Sequence, residues 1–363
     1  MNEKLIIIDA SSELVTRYYA MPSTPKDETR MTEDEIKRAY SKMLHNKNGV
    51  FTGAVYGFLK DIFRIINKTE ATHIAFVFDK SRETLKRRED YPLYKAQRKP
   101  TPEALRQQFI TMEETLEKMG FSVFYRDGYE ADDFAGTLAK KFEKYMPVYL
   151  YTKDHDYIQL ISDNTSLWLA MTKDETVTEL ASKYGVPLED SKFPDKSFEF
   201  NEFTAEMEFG INPSQIPDLK GLQGDSSDNI PGVPRLSAAA IPLLQRYGTI
   251  EKIYEAIESC EGDKKAIKAL QDDWKANLGT QNPYNALTKI FEETDDKTKM
   301  NYYLKTAKES ALLSKKLATI DTNVPIDVKI EDLEIKLSEK KVQEVLDYLE
   351  IKTLEKLDAK YYI

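Results

Sequence analysis

The chain contains 363 residues, of which 41% are hydrophobic and 31% are charged, and its formal net charge is -10. This composition predicts a folded protein of one large or two modest domains. No apolar run approaches the ~20 residues of a membrane span, and the single cysteine, Cys260, excludes an internal disulfide and fits a reducing interior.

Five short apolar runs alternate with longer helical patterns. They lie at 4–8, 73–78, 121–125, 147–151 and 166–170. Strand alternating with helix predicts an α/β fold with a mostly parallel central sheet flanked by helices. Between the first two runs, residues 21–49 are polar and predict a loop with a short helix, followed by an amphipathic helix from residue 53.

A basic segment follows the second predicted strand. Residues 80–99 hold eight cations (Lys80, Arg82, Lys86, Arg87, Arg88, Lys95, Arg98 and Lys99) against three acids, a local net charge of +5. Tyr91 and Tyr94 lie among them. Cations that hold phosphates and tyrosines that stack on bases suit a nucleic-acid strand, although a charge run is more commonly a solvated surface. Its place directly after Asp79 favours the functional interpretation.

The third predicted strand leads into GYEADDFAG at 128–136, which places Glu130, Asp132 and Asp133 at a helix start. Apolar residues from Ala131 to Phe142 recur at helical spacing and form one face. This helix is therefore expected to anchor three acids against the core.

The second half of the chain is predicted to be mainly helical, since strand signals fade from about residue 172. Residues 191–203 are interpreted as an insertion and residues 231–257 as turn-linked helices. The chain beyond 262 is charged and helix-favouring, with a break at Pro325 and an amphipathic stretch at 339–351.

Acidic residues follow four consecutive predicted strands. Asp9 follows the first, Asp79 the second, the acids at 130–133 the third, and Asp154 and Asp156 the fourth. The carboxyl ends of parallel strands converge on one crevice, where carboxylates repel one another unless cations neutralise them. Each acid alone has an ordinary explanation as a turn or helix-start residue. Together they predict a divalent metal site, with Mg²⁺ as the ion.

The segment GLQGDSSDNIPGV at 221–233 adds Asp225 and Asp228. Two interpretations are open: a turn in which Asp228 and Asn229 bond to the local backbone, or further ligands of the same metal cluster. The glycines and helix start that follow would offer backbone N–H groups to a phosphate.

These motifs resemble the 5′-nuclease family, which includes flap endonucleases, phage 5′-3′ exonucleases and the 5′-nuclease domain of bacterial DNA polymerase I. The resemblance is carried by FVFD with LKRREDYPLYKAQRKPTPE, GYEADDFAGTLAKK, YTKDHDYIQLIS and GLQGDSSDNIPGV, in the family's order. Segments 313–328 and 344–357 also resemble the part that follows this domain in the polymerase. The resemblance covers nearly the whole chain, and a free-standing nuclease is expected.

The resemblance implies a PIN-like core with a helical arch and a C-terminal helical region of the helix-turn-helix type. The expected units are an α/β nuclease core at 1–172, with the arch at about 80–118, and a helical DNA-binding region at 173–310. A helix-three-turn-helix-like motif is expected at about 221–258. A C-terminal extension at 311–363 is expected to pack on the core.

The resemblance also implies roles for single residues. Two Mg²⁺ ions, for which Mn²⁺ can substitute, would be held by nine carboxylates. Asp9, Asp79, Glu130 and Asp132 would hold the first, with Asp133, Asp154, Asp156 and Asp228 at or near the second and Asp225 in support. Arg87 and Lys95 would contact the scissile phosphate in catalysis, and Arg88, Tyr94, Arg98, Lys99 and Gly232 would contact DNA. Arg235 and Ser237 are candidate substitute contacts at a turn where the chain departs from the family's pattern. Asp132 and Asp133 are adjacent and cannot point the same way, so one is expected to serve each metal.

One turn departs from the family's pattern. Relatives usually carry two glycines and a lysine after PGV, whereas this chain reads PRLSAAAIPLL, with Arg235, Leu236 and Ser237. The change weakens the expected backbone grip on duplex DNA and any monovalent-ion site there. Insertions at about 21–48, 186–204 and 262–308 have no clear counterpart.

The leading hypothesis is a Mg²⁺-dependent, structure-specific 5′ nuclease, an exonuclease or flap endonuclease that acts on flaps, nicks or RNA primers in replication or repair. The alternatives are a non-catalytic DNA-binding protein of the same fold and a metal-dependent ribonuclease of related topology. The expected partner is DNA with a 5′ flap, nick or free 5′ end, and a polymerase or clamp is a further candidate. A monomer without membrane association is expected in the cytoplasm of a bacterium or of a phage's host.

Overall fold

A six-stranded sheet in the order β3-β2-β1-β4-β5-β6 forms the centre of the computed structural model, which describes residues 3–188, 191–279 and 282–363. The strands are β1 Leu5–Asp9, β2 His73–Val77, β3 Ser122–Phe124, β4 Val148–Thr152, β5 Thr165–Ala170 and β6 Ser197–Phe200. The first five strands pair in parallel, and β6 pairs antiparallel with β5. The predicted α/β fold with a mostly parallel sheet is therefore confirmed.

Helices flank the sheet and dominate the second half of the chain. They are α1 Ala10–Ala20, α2 Glu33–Tyr40, α3 Gly53–Thr69, α4 Arg87–Asp90, α5 Glu103–Met119, α6 Ala131–Phe142, α7 Asp174–Tyr184, α8 Glu202–Phe209, α9 Ile216–Gln223, α10 Ser237–Tyr247, α11 Ile250–Glu258, α12 Lys264–Asn277, α13 Tyr284–Leu287, α14 Met300–Tyr303, α15 Ala307–Ala318 and α16 Glu339–Tyr348. Within the described ranges, no helix combines the length and apolar character needed to cross a bilayer.

The sheet is buried on both faces, as β1 illustrates. Leu5 and Ile7 belong to one hydrophobic cluster, and the alternate residues Ile6 and Ile8 belong to the other. Phe134 of α6 lies in the first cluster, whereas helices α1, α3 and α5 contribute to the second. The predicted apolar face of α6 thus fixes this helix against the sheet and directs its N-terminus to the carboxyl ends of the strands.

The structure differs from the sequence prediction at residues 191–203. This segment, interpreted as an insertion, contains edge strand β6 and the start of α8. Phe198 and Phe200 of β6 are buried. A four-residue edge strand after a proline-containing loop carries too little hydrophobic periodicity to be recognised. Residues 189–190 and 280–281, within two of the predicted insertions, lie outside the described residues, as do residues 1–2.

The predicted arch segment is only partly helical. Between β2 and α5 it contains the four-residue helix α4, and then it returns to the core as α5. Leu105, Met112 and Leu116 of α5 are buried in the second cluster. The basic residues therefore lie on a short helix and a loop that stay close to the sheet edge.

The C-terminal part of the chain packs against both halves of the molecule. Helix α15 contacts α9, and the Ile335 amide donates to the Thr72 carbonyl at 2.9 Å, beside the start of β2. Leu337, Val342 and Val345 join the second hydrophobic cluster.

A glycine substitution tests the close approach of α9 to its neighbours. A methyl group on Gly221 would lie 2.4 Å from Ile250 Cδ1 and 3.0 Å from the Ala311 carbonyl oxygen. We expect Gly221→Ala to lower the free energy of unfolding by about 1–3 kcal/mol relative to Gly57→Ala, because overpacking outweighs the shared gain in helix propensity. In α3, the three nearest atoms to a methyl at residue 57 would be Arg17 side-chain carbons at 3.2–3.3 Å, a milder crowding than at Gly221. Equal urea midpoints for the two variants would contradict the packing argument.

Candidate active site

Asp9 and Asp79 lie where β1 and β2 end, and the local fold holds both side chains in place. Asp9 Oδ1 accepts from the Ser12 amide at 2.9 Å and its Oδ2 accepts from Thr152 Oγ1 at 2.7 Å. Asp79 Oδ1 accepts from the Ala131 amide at 3.0 Å, at the start of α6. These bonds join the end of β1 to the end of β4, and the end of β2 to the N-terminus of α6.

The electrostatics of Asp9 show that these carboxylates are crowded. Burial and repulsion by Asp79 raise the pKa of Asp9 to about 7, even though the Ser12 amide favours its charged form. The charged form of Asp9 is thus disfavoured where the two strand ends meet.

Cations of the basic segment reach the acids of α6. Arg87 Nη1 donates to Glu130 Oε2 at 2.8 Å, Lys95 Nζ forms an ion pair with Glu130 Oε1, and Tyr94 donates its hydroxyl to Glu130 Oε2 at 2.8 Å. Burial opposes the ionisation of Glu130, but Lys95 and Arg87 outweigh it and lower the pKa to about 2. Glu130 is therefore a charged carboxylate with strong donors around it.

Asp228 joins the same cluster from the second half of the chain. Its carboxylate pairs with Arg98, lies 3.4 Å from Lys95 Nζ and accepts from the Tyr94 hydroxyl at 3.3 Å. The Lys95 amide also donates to the Asp228 carbonyl at 2.9 Å. Lys95 adopts a positive φ of 54°, which is unusual for a residue with a side chain. The loop at 225–229 therefore holds the basic segment in an unusual conformation over the carboxylates.

Asp132 differs from its neighbours because one of its oxygens is unsatisfied. Its Oδ1 is buried and has no hydrogen-bond partner within the part of the chain that the structure describes. Burial raises its pKa, and Asp133 and Glu130 raise it further. A buried carboxylate oxygen without a donor is costly, which makes Asp132 a strong candidate ligand for a cation.

Asp154, Asp156 and Asp225 form a second acidic group. Asp154 Oδ1 accepts from the Asp156 amide at 2.9 Å, and Ser227 donates its amide to Asp225 Oδ1 at 2.7 Å. Burial and Asp154 raise the pKa of Asp156 to about 7.

Lys220, which the sequence analysis did not single out, links this second group. Its ammonium pairs with Asp156 and donates to Asp225 Oδ2 at 2.6 Å. Lys220 lies directly before the 221–233 motif, in DLKGLQGD. Its position between two acidic motifs is the sequence feature from which its role could have been predicted.

The predicted DNA-contacting residues fall into different places. Arg87, Tyr94, Lys95 and Arg98 face the carboxylates. Arg88 is half-buried and donates to the Pro92 carbonyl, and Lys99 is exposed and pairs with Asp27. Arg235 and Ser237 are exposed at the start of α10. Gly232 is buried, and its amide donates to Ser314 Oγ at 2.9 Å, so this amide is not free to bind a phosphate.

The residues of the site suit a divalent cation, although their present arrangement is paired with protein cations. Across residues 3–188, 191–279 and 282–363, no three acidic, histidine or cysteine side chains are placed to hold a metal ion together. Arg87, Lys95, Arg98 and Lys220 pair with five of the nine carboxylates instead. The donors are all oxygen, as hard divalent ions prefer, and Asp132 retains an unsatisfied oxygen.

Models of known protein families match both halves of the chain. Residues 4–185 match the family model described as 5′-3′ exonuclease, N-terminal resolvase-like domain, and residues 211–281 match the 5′-3′ exonuclease C-terminal SAM fold. A 5′-3′ exonuclease of Halalkalibacterium halodurans is 33% identical over 260 residues, which cover 71% of this chain and 74% of that one.

DNA polymerase I of Bacillus caldotenax is 31% identical over 335 residues, and the match covers 92% of this chain and 30% of the polymerase. DNA polymerase I of Bacillus subtilis is 31% identical over 334 residues, with 92% and 29% covered. The chain therefore spans about 30% of the length of these polymerases.

Among solved structures, the T5 D15 protein co-crystallised with metal ions has a TM-score of 0.51 and 20% identity, covering 96% of this chain and 97% of that one. This likeness supports a shared fold.

A thermal-stability experiment tests the unsatisfied charge of Asp132. In EDTA we expect Asp132→Asn to raise the melting temperature by roughly 1–3 °C, because the substitution removes a carboxyl group whose ionisation is disfavoured in the folded protein by burial and by Asp133 and Glu130. Added Mg²⁺ should stabilise the wild type more than the variant, since only the wild type keeps the full ligand set. Asp127→Asn, which neutralises an exposed acid, is the matched control. A lower melting temperature of Asp132→Asn in EDTA would contradict the analysis.

Proposed function

Because the chain belongs to the 5′-3′ exonuclease family, as its motifs predicted, we propose that it is a structure-specific 5′ nuclease. It hydrolyses phosphodiester bonds near the 5′ ends of DNA at flaps, nicks or RNA primers. The observation that carries the proposal is the crowding of Asp9 and Asp79 at neighbouring strand ends beside the start of α6, where Arg87 and Lys95 pair with Glu130.

The metal requirement is part of the proposal. Asp9, Asp79, Glu130 and Asp132 would hold one Mg²⁺ ion, and Asp154, Asp156, Asp225 and Asp228 would contribute to a second. The unsatisfied Asp132 oxygen and the T5 D15 protein's crystallisation with metal ions support this assignment. When bound, two such ions activate a water molecule and stabilise the leaving oxygen of an in-line displacement. Mn²⁺, which accepts the same oxygen ligands, is expected to substitute.

Arg87 and Lys95 have two tasks in this proposal. Without DNA they neutralise Glu130, Asp133 and Asp228, which keeps the acid cluster compatible with the fold. With DNA they offer positive charge to the scissile phosphate, whose charge develops in the transition state. The Lys95 side chain is 10% exposed, so the charge acts in a site from which most water is excluded.

Tyr94 and Arg98 support the same surface. Tyr94 donates its hydroxyl to Glu130 and its ring is buried, which makes it a support for the carboxylates rather than an open stacking platform. Arg98 is 35% exposed and pairs with Asp228, so it can reach a neighbouring phosphate with a small change of rotamer.

A cleavage assay on a labelled 5′-flap DNA tests the proposed function. We expect the wild type to release 5′ products in Mg²⁺ and to be inactive in EDTA. Asp132→Asn should lower turnover by at least about 10³-fold because it removes a charged ligand. DNA binding of the variant should persist in a gel-shift assay, and Asp127→Asn serves as the active control.

The same assay separates the alternative functions. A matched RNA flap cleaved in preference to the DNA flap would favour the ribonuclease. DNA binding by a folded wild type without cleavage across a Mg²⁺ and Mn²⁺ titration would favour the non-catalytic binder, and the nuclease proposal would then fail.

A pair of lysine variants tests the role of the basic segment. We expect Lys95→Met to lower the single-turnover rate by about 10²–10³-fold, because a preorganised charge at the scissile phosphate is lost. Lys99→Met removes an equal charge from a side chain that is 61% exposed and pairs with Asp27, so its rate should change little. Equal losses in the two variants would show that the segment acts only through its total charge.

A further inference from the structure

Asp133 is the most completely bonded carboxylate of the site. Its Oδ1 accepts from Arg87 Nη2 at 2.7 Å and from the Asp321 amide at 2.8 Å. Its Oδ2 accepts from Arg87 Nη1 at 2.9 Å and from the Glu130 amide at 3.0 Å. An ionised carboxylate has about four lone-pair positions, so these donors occupy its capacity. The side chain is 2% exposed and offers no free oxygen to a cation.

The donors come from three distant parts of the sequence. Arg87 belongs to the basic segment, the Glu130 amide begins α6, and the Asp321 amide belongs to the segment that follows α15. Arg87 also donates to the Thr319 carbonyl at 2.9 Å. Asp133 therefore joins the basic segment, the start of α6 and the C-terminal region at one buried point.

The segment 318–324, here called the C-terminal strap, is held in position by two further side chains. Gln159 accepts from the Ile320 amide at 2.9 Å and donates to the Ala318 carbonyl at 3.0 Å. Thr137 of α6 accepts from the Val324 amide at 3.0 Å. The Asp321 amide is thus directed at Asp133 by bonds on both sides of it.

We propose that Asp133 is a positioning residue that orients Arg87 and Glu130, and that it is not a ligand of either metal ion. The strap supplies one of its fixed donors, so residues 318–324 are part of the active site. Neighbouring Asp132, whose Oδ1 has no partner among the described residues, is the acid of this pair that faces a cation. The inference replaces the expectation that Asp132 and Asp133 each serve one metal, and it rests on the proposed nuclease function.

Metal titration without DNA separates a ligand from a positioning residue. We expect Asp132→Asn to weaken Mn²⁺ binding, followed by electron paramagnetic resonance of the free ion, by at least about tenfold. Asp133→Asn should keep the number of bound ions and their affinity within about threefold of the wild type. Its flap turnover should nevertheless fall about 10–100-fold, because Arg87 and Glu130 lose their orientation. Loss of an ion from Asp133→Asn would overturn the proposal.

A second pair of variants tests the strap and covers the case in which Asp133→Asn does not fold. Asp321→Pro removes the amide donor to Asp133, whereas Asp321→Ala keeps it and loses only the side chain. We expect turnover of the proline variant to be about tenfold below that of the alanine variant, with equal Mn²⁺ binding. Equal turnover, or weaker Mn²⁺ binding in the proline variant, would contradict the role of the strap.

Failure of the proposed function would look different. A wild type that binds Mn²⁺ but cleaves no flap would remove the nuclease assignment, while the comparison of ion binding by Asp132→Asn and Asp133→Asn would still decide which acid is a ligand.

Discussion

The arrangement of this molecule depends on the neutralisation of carboxylates that a parallel sheet brings together. Strands β1, β2 and β4 end at one edge, and the N-terminus of α6 adds three acids to it. In a poorly hydrated crevice such charges are stable only beside cations. Arg87, Lys95, Arg98 and Lys220 supply that charge, and each comes from a segment other than the strands. Ion pairs with these carboxylates therefore hold the basic segment and the second half of the chain against this edge of the sheet.

The parts of the structure that were predictable from sequence are those set by local periodicity. Strands β1 to β5 and helix α6 follow runs of apolar residues that repeat at the period of the element, and the acids after the first four strands mark the edge at which a metal site is predicted. Strand β6 was missed because four residues at a sheet edge carry no such repeat. The pairing of Lys220 with Asp156 joins residues 64 positions apart, which no local pattern encodes.

The adjacent acids of α6 show that a local sequence pattern also fails to distinguish two residues within one motif. From sequence, Asp132 and Asp133 are equivalent candidates, and only their directions could be expected to differ. The difference arises from the Asp321 amide, 188 positions from Asp133, and from the guanidinium of Arg87. Helix geometry separates the two side chains, and long-range contacts decide that one is saturated and the other is left with an unsatisfied oxygen.

The bond between Asp133 and the C-terminal strap extends the unit that forms the site beyond the residues that the family models match. The family matches stop at residue 281, yet the amide that holds Asp133 lies at residue 321. A truncated fragment drawn from those boundaries would keep all nine candidate carboxylates of the site and lose the backbone that orders Asp133. A fragment for engineering or transplantation must therefore extend beyond residue 324, where the Val324 amide bonds to Thr137, and the core residues Leu337, Val342 and Val345 lie further along the chain.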